Sequence, residues 1–157
     1  MVVFQASDIL EFAMRIEENG ASFYRYAVVF MSNPEAKSLF ERLAREEDKH
    51  KEHFASLFRD VEKEPLSESY AGEYGEYLRN YVDNNIIFNG TAMEAEMKQI
   101  KDKLGAIDFA IRRELDSIAY YQEIKLLVPA NKHGVIDAII TEERRHFMLL
   151  SEVKAKL

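Results

Sequence analysis

Four stretches of the chain repeat apolar residues at alternating three- and four-residue steps, and each repeat is interrupted at its middle by a glutamate. The first stripe runs Leu10, Ala13, Glu17, Gly20, Tyr24, Ala27, Met31, and the second Phe40, Leu43, Glu47, His50, Phe54, Leu57, Val61. The third is Ile107, Ala110, Glu114, Ser117, Tyr121, Ile124, Val128, and the fourth Ile136, Ile139, Glu143, His146, Leu150, Val153, Leu157. This period lays one face of an α-helix against a core. Four such helices predict an all-α, antiparallel four-helix bundle.

Local signals set the expected boundaries. Ser7 and Asp8, with Glu11 as capping-box partner, open a helix over residues 7–31. Asn33 as cap and Pro34 in the first turn open a second over 34–61, because proline's missing N–H costs nothing there. Residues 62–103, with Pro65 and several Gly, form a long crossover carrying one short helix around Tyr70 to Val82. A third helix spans 104–128, and Pro129 and "NKHG" separate it from a fourth over 132–156. Short turns pair the first two helices and the last two, while the crossover runs the length of the bundle. At 157 residues the chain is expected to form one domain, 1–157.

Composition narrows the chemistry. With no Cys, thiol catalysis and every Cys-ligated metal site are excluded, so a metal must be held by oxygen and nitrogen. A net charge of −7 with scattered Lys and Arg argues against nucleic acid. "MVVFQASDIL" lacks the basic start of a cleavable signal, and no apolar run is long enough for a bilayer, so a cytoplasmic protein with no membrane partner is expected.

The acidic midpoints are the informative part. "EEDKH" (Glu46–His50) returns as "EERRH" (Glu142–His146), placing Glu47 beside His50 and Glu143 beside His146 on the inward helical faces. A single Glu-x-x-His in a Glu-rich chain means little; two in matching phase are a pattern. Glu17 and Glu114 are 97 residues apart, Glu47 and Glu143 are 96 apart, and Tyr24 and Tyr121 each follow a leading Glu by seven. The chain therefore reads as two helical hairpins related by an approximate twofold axis. Four buried carboxylates would repel one another, whereas two divalent cations cancel their charge and imidazoles add neutral nitrogen ligands. Glu17, Glu47, His50, Glu114, Glu143 and His146 are thus candidate ligands of a dinuclear centre. Tyr24 and Tyr121 are candidate hydrogen-bond donors beside it.

Other residues have plainer expectations. Glu18, Glu46 and Glu142 fall off the stripes and read as surface charges. His53 has no counterpart in the second half and reads as an outer or surface residue, and His133 as an exposed turn residue. Tyr70, Tyr74, Tyr77 and Tyr81 form an aromatic stripe expected to pack on the bundle or a second subunit, with a lid or an electron path as the other readings.

At "ILEFAMRIEENGASFY", "LFERLAREEDKHKEHF", "AIDFAIRRELDSIAYY" and "IITEERRHFMLL" the chain resembles the rubrerythrin-like branch of the ferritin-like superfamily. The resemblance implies a non-haem centre of two iron ions that reduces hydrogen peroxide or dioxygen, in a ferritin-like bundle with a long crossover. It implies that Glu47 and Glu143 bridge the metals, that Glu17 and Glu114 are terminal, and that His50 and His146 bind one metal each. Two departures matter. Rubrerythrins carry a Cys-ligated electron-delivery domain, and this chain has no Cys, so a separate electron-donor protein is expected. Rubrerythrins also have a further Glu on the third helix where Ser117 stands here. Iron storage or delivery without turnover and a manganese-catalase-like activity are the alternatives within the resemblance, since manganese suits the same donors. A metal-free helical module that binds a protein is the alternative outside it. A homodimer is the expected assembly.

Overall fold

The computed structural model of the protein describes residues 6–61, 73–85 and 88–157. Its helices are α1 (Ala6–Ala27), α2 (Pro34–Val61), α3 (Glu73–Asp83), α4 (Gly90–Met97), α5 (Lys103–Lys125) and α6 (His133–Ala155). No strand occurs among the described residues.

Asn33 caps α2 as expected, its Oδ1 accepting from the Ala36 N–H at 2.7 Å. The start of α1 differs from the sequence expectation. The described residues open at Ala6, already within α1, so Ser7 and Asp8 lie inside the helix and are not its caps. An acidic side chain there still favours the helix, through the positive end of its dipole. Its end also differs: Val28–Phe30 tighten into a 3₁₀ turn ahead of Pro34, so α1 stops short of Met31. At the other hairpin, Asp102 caps α5 through the Gly105 N–H at 2.8 Å. That helix closes at Lys125, ahead of Val128, whose place before Pro129 disfavours helical backbone.

Among its described residues the crossover holds two helices where one was expected. α4 carries almost no apolar face in "GTAMEAEM", so its period does not announce it; Asn89, accepting from the Ala92 N–H at 3.0 Å, does. Pro65, Tyr70 and the side chain of Tyr74 lie outside the described residues.

α1 packs along α2 and α5 along α6, and the two hairpins meet through α1 with α5 and α2 with α6. The stripes face inward and form two apolar clusters. One is built on Leu10, Phe54, Leu57, Tyr121, Ile124 and Ile136. The other is built on Tyr24, Met31, Phe40, Leu43, Ile107 and Leu150. Only the last stripe frays, where Leu157 is exposed at the end of the chain. Between the clusters lies a polar layer of Glu17, Glu47, His50, Glu114, Glu143 and His146, none more than 4% exposed. Among the described residues no helix is long and apolar enough to cross a membrane.

Candidate metal centre

Each bundle helix delivers its mid-stripe acid to this one layer, so the six candidate residues, from four helices, come together. Their donor atoms form two overlapping groups. Glu17, Glu47, His50 and Glu143 make one, and Glu47, Glu114, Glu143 and His146 the other, with the atoms of each group within 4.8 Å of one another. Glu47 and Glu143 belong to both. The two imidazoles lie nearly parallel, with centroids 5.7 Å apart, one in each group.

The inward atoms crowd without hydrogen bonding. His50 Nδ1 is 2.8 Å from Glu143 and 3.5 Å from Glu17. His146 Nδ1 lies 3.1, 3.3 and 3.7 Å from Glu47, Glu143 and Glu114. Yet both Nδ1 atoms, Glu17 Oε2, Glu47 Oε1, Glu114 Oε2 and both oxygens of Glu143 are buried without a hydrogen-bond partner. Buried polar atoms are almost always paired, so a set of orphans aimed at common points requires something between them. Metal–ligand bonds of about 2.0–2.2 Å put neighbouring ligands about 3 Å apart, which is the spacing found. The residues fit a pair of divalent cations.

The outward atoms are satisfied. His50 Nε2 lies 2.8 Å from Glu142, and His146 Nε2 lies 2.9 Å from Glu46. Donation of Nε2–H to a carboxylate orients each ring with Nδ1 toward the centre, where its lone pair becomes available once a cation displaces the proton. Glu46 and Glu142 were expected to be surface charges. The structure corrects this: although off the stripe, each reaches across to the histidine of the opposite hairpin. The signal was in the repeat, which duplicates the first Glu of each "EE" as faithfully as the second. Tyr24 donates to Glu114 and Tyr121 to Glu17, so each tyrosine also crosses between hairpins.

Electrostatics without cations follow from burial and crowding. Burial, then the charges of Glu47 and Glu143, push the Glu17 carboxyl well above its ordinary range. Burial and Glu143 raise Glu114 to about 8. Burial favours a neutral ring at His50, but Glu143 and Glu17 outweigh it and raise the imidazole to about 12. At His146 burial is outweighed in the same way by Glu114, Glu143 and Glu47. Burial also pushes Glu143 up, and contacts with Glu114 and both histidines overcome that and hold it low. The metal-free cluster therefore balances its charge with protons, which cations would replace.

Among the remaining candidates, His53 is exposed and Glu18 pairs with Lys51 at the surface. His133 is half-buried, its Nε2 2.8 Å from the Val128 carbonyl, and not fully exposed as expected. A cavity of about 10 Å³, room for one water, lies against Glu47 and Glu114 and is lined also by Gly20, Met93, Arg113 and Ser117. Ser117 donates back to the Arg113 carbonyl and does not extend the ligand set. Gly20 and Arg113 were not sequence candidates, since neither residue type announces a role without its neighbours.

The family model for rubrerythrin matches residues 8–154. A solved structure from Thermotoga maritima, described as a ferritin-like diiron-carboxylate protein, is 30% identical, with 99% of this chain and 97% of that chain covered and a TM-score of 0.68. No curated protein matches the chain. With the match running from α1 to the last turn of α6 and the polar layer assembled at its centre, the chain belongs to the rubrerythrin family of ferritin-like di-iron carboxylate proteins.

Proposed function

We propose that the protein is a non-haem di-iron oxidoreductase that reduces hydrogen peroxide or dioxygen. The observation that carries this reading is the sharing of Glu47 and Glu143 by two donor groups, each completed by its own Glu and His. Glu17 and His50 would hold one ion, Glu114 and His146 the other, and Glu47 and Glu143 both. When bound, the iron pair supplies two one-electron equivalents.

The chain's own residues do the rest. Glu142 and Glu46 orient the imidazoles, and Tyr121 and Tyr24 hold the outer carboxylates by hydrogen bonds to Glu17 and Glu114. The two apolar clusters exclude bulk water above and below the layer. A cavity the size of one water lies beside Glu47 and Glu114, on the flank of the layer that the apolar clusters leave open. Electrons would come from a separate donor protein in the cytoplasm, and the assembly would be a homodimer. Manganese suits the same donors, so metal analysis of protein purified without chelator is part of the test. Anaerobic loading with ferrous iron followed by peroxide should produce diferric absorption at a ratio of two irons per chain. Oxidation no faster than that of free iron refutes the activity.

A further inference from the structure

Tyr77, Tyr81, Tyr120 and Tyr121 form a file of phenol rings that begins at the surface and ends on Glu17. Tyr77 is 45% exposed. Its ring centroid is 6.3 Å from that of Tyr81. Tyr81 lies 6.0 Å from Tyr120 with the planes only 22° apart, and Tyr120 lies 6.1 Å from Tyr121. Tyr121 is fully buried and donates its hydroxyl to Glu17. Every step falls within the spacing of about 4.5–7 Å at which aromatic rings interact.

Among the described residues the file exists in one half of the molecule. Tyr24, the counterpart of Tyr121, packs against Phe23 and Phe40, whose rings give up electrons far less readily than phenols. Its outer members come from the crossover, which has no repeat partner. With no Trp and no Cys in the chain, tyrosine is the side chain most readily oxidised by one electron.

We propose that this file is a relay carrying one-electron oxidising equivalents from the metal centre to the surface at Tyr77. It rests on the di-iron reading above. Hydrogen peroxide takes up two electrons and two protons to become two waters. When the centre holds only one reducing equivalent, the second electron comes along the file, and the oxidising power leaves the ligands undamaged. In the net step Tyr77 gives up an electron inward and its phenolic proton to water, becoming a tyrosyl radical. A soluble one-electron reductant such as ascorbate restores it.

The inner rings are left as they began. Tyr120 and Tyr81 donate their hydroxyls to the peptide carbonyls of Ile9 at 2.9 Å and Asp116 at 3.4 Å, which do not take up protons. An electron vacancy passes through these two rings and settles at the exposed end, where water accepts the proton.

The test uses the iron-loaded full chain, excess peroxide, no reductant and a nitrone spin trap, with adducts located by peptide mass spectrometry and diferric absorption followed in parallel. The expected result is an adduct on Tyr77 that is absent from metal-free protein given the same peroxide. It should be lost from Tyr77 in Tyr81→Phe and in Tyr120→Phe while diferric absorption still rises. Tyr81→Phe keeps the ring and removes one hydroxyl, whose bond to the Asp116 carbonyl is long at 3.4 Å, so the fold should be preserved. An undiminished Tyr77 adduct in both variants, or none in the unsubstituted protein despite diferric absorption, overturns the relay alone. No iron oxidation in any sample overturns the di-iron reading, and the relay with it.

Discussion

His50 of one hairpin and Glu142 of the other are joined at 2.8 Å, and the reciprocal pair, His146 with Glu46, is joined at 2.9 Å. These contacts fix which nitrogen of each ring faces the centre. Replacing either Glu with Ala should weaken metal affinity about 10- to 100-fold while leaving the stoichiometry unchanged. Glu46, 20% exposed, should cost more than Glu142, 44% exposed, because water substitutes less readily at the more buried site. Competition against a chelator of known affinity measures both, and unchanged affinity in the two variants would contradict the orienting role.

The protonated, metal-free cluster predicts a distinctive pH dependence. The folded pKa of Glu114, about 8, lies above its ordinary 4.5, so the folded state holds the extra proton and stability falls as pH rises across that window. His50, raised to about 12 from 6.5, extends the loss above 6.5. Glu143 acts in the opposite sense, its contribution being present above 4.5 and lost as pH falls. Metal binding needs these protons gone, so the rise in Tm on metal loading should grow between about pH 5 and pH 9. Thermal scans with and without metal across that range provide the check. A constant or shrinking gain would contradict the proton balance.

Tyr24→Phe removes the hydroxyl donated to Glu114 and leaves a buried carboxyl oxygen without its partner. The metal-free protein should lose about 1–3 kcal/mol, and Tyr121→Phe should do the same at Glu17. Chemical denaturation measures the loss. A neutral result would mean that the hydroxyls contribute packing alone.

Gly20→Ala should separate stability from metal binding. The added Cβ would lie 3.0 Å from Glu47 Oε2, so this carboxylate must shift to make room. Within a helix, Ala is favoured over Gly by about 0.5–1 kcal/mol. The metal-free variant should therefore melt at an unchanged or higher temperature, while its metal affinity falls because Glu47 serves both donor groups. Calorimetric titration alongside thermal melts tests the split; unchanged affinity would show that Glu47 can yield freely.

Period and spacing alone made the helices and their inward faces legible, because a 3.6-residue repeat dictates which side chains share a face whatever the rest of the chain does. The same rule put Glu17, Glu47, Glu114 and Glu143 at mid-helix, and the duplication of Glu-x-x-His marked them as one pattern. Helix ends were less legible: α1 and α5 stop before the prolines that follow them, and α4 lacks a periodic face.

Contacts between hairpins were decided by the tertiary structure. Glu46 and Glu142 look like surface charges on their own helices, and become partners of His146 and His50 only when the opposite hairpin packs within reach. Tyr121 meets Tyr120 through the chain itself, whereas Tyr81 reaches Tyr120 only because α3 folds back onto the bundle. Sequence fixes which way a side chain leaves its own helix. What it then meets depends on the angle and register of a neighbour dozens of residues away, which only the packed core sets.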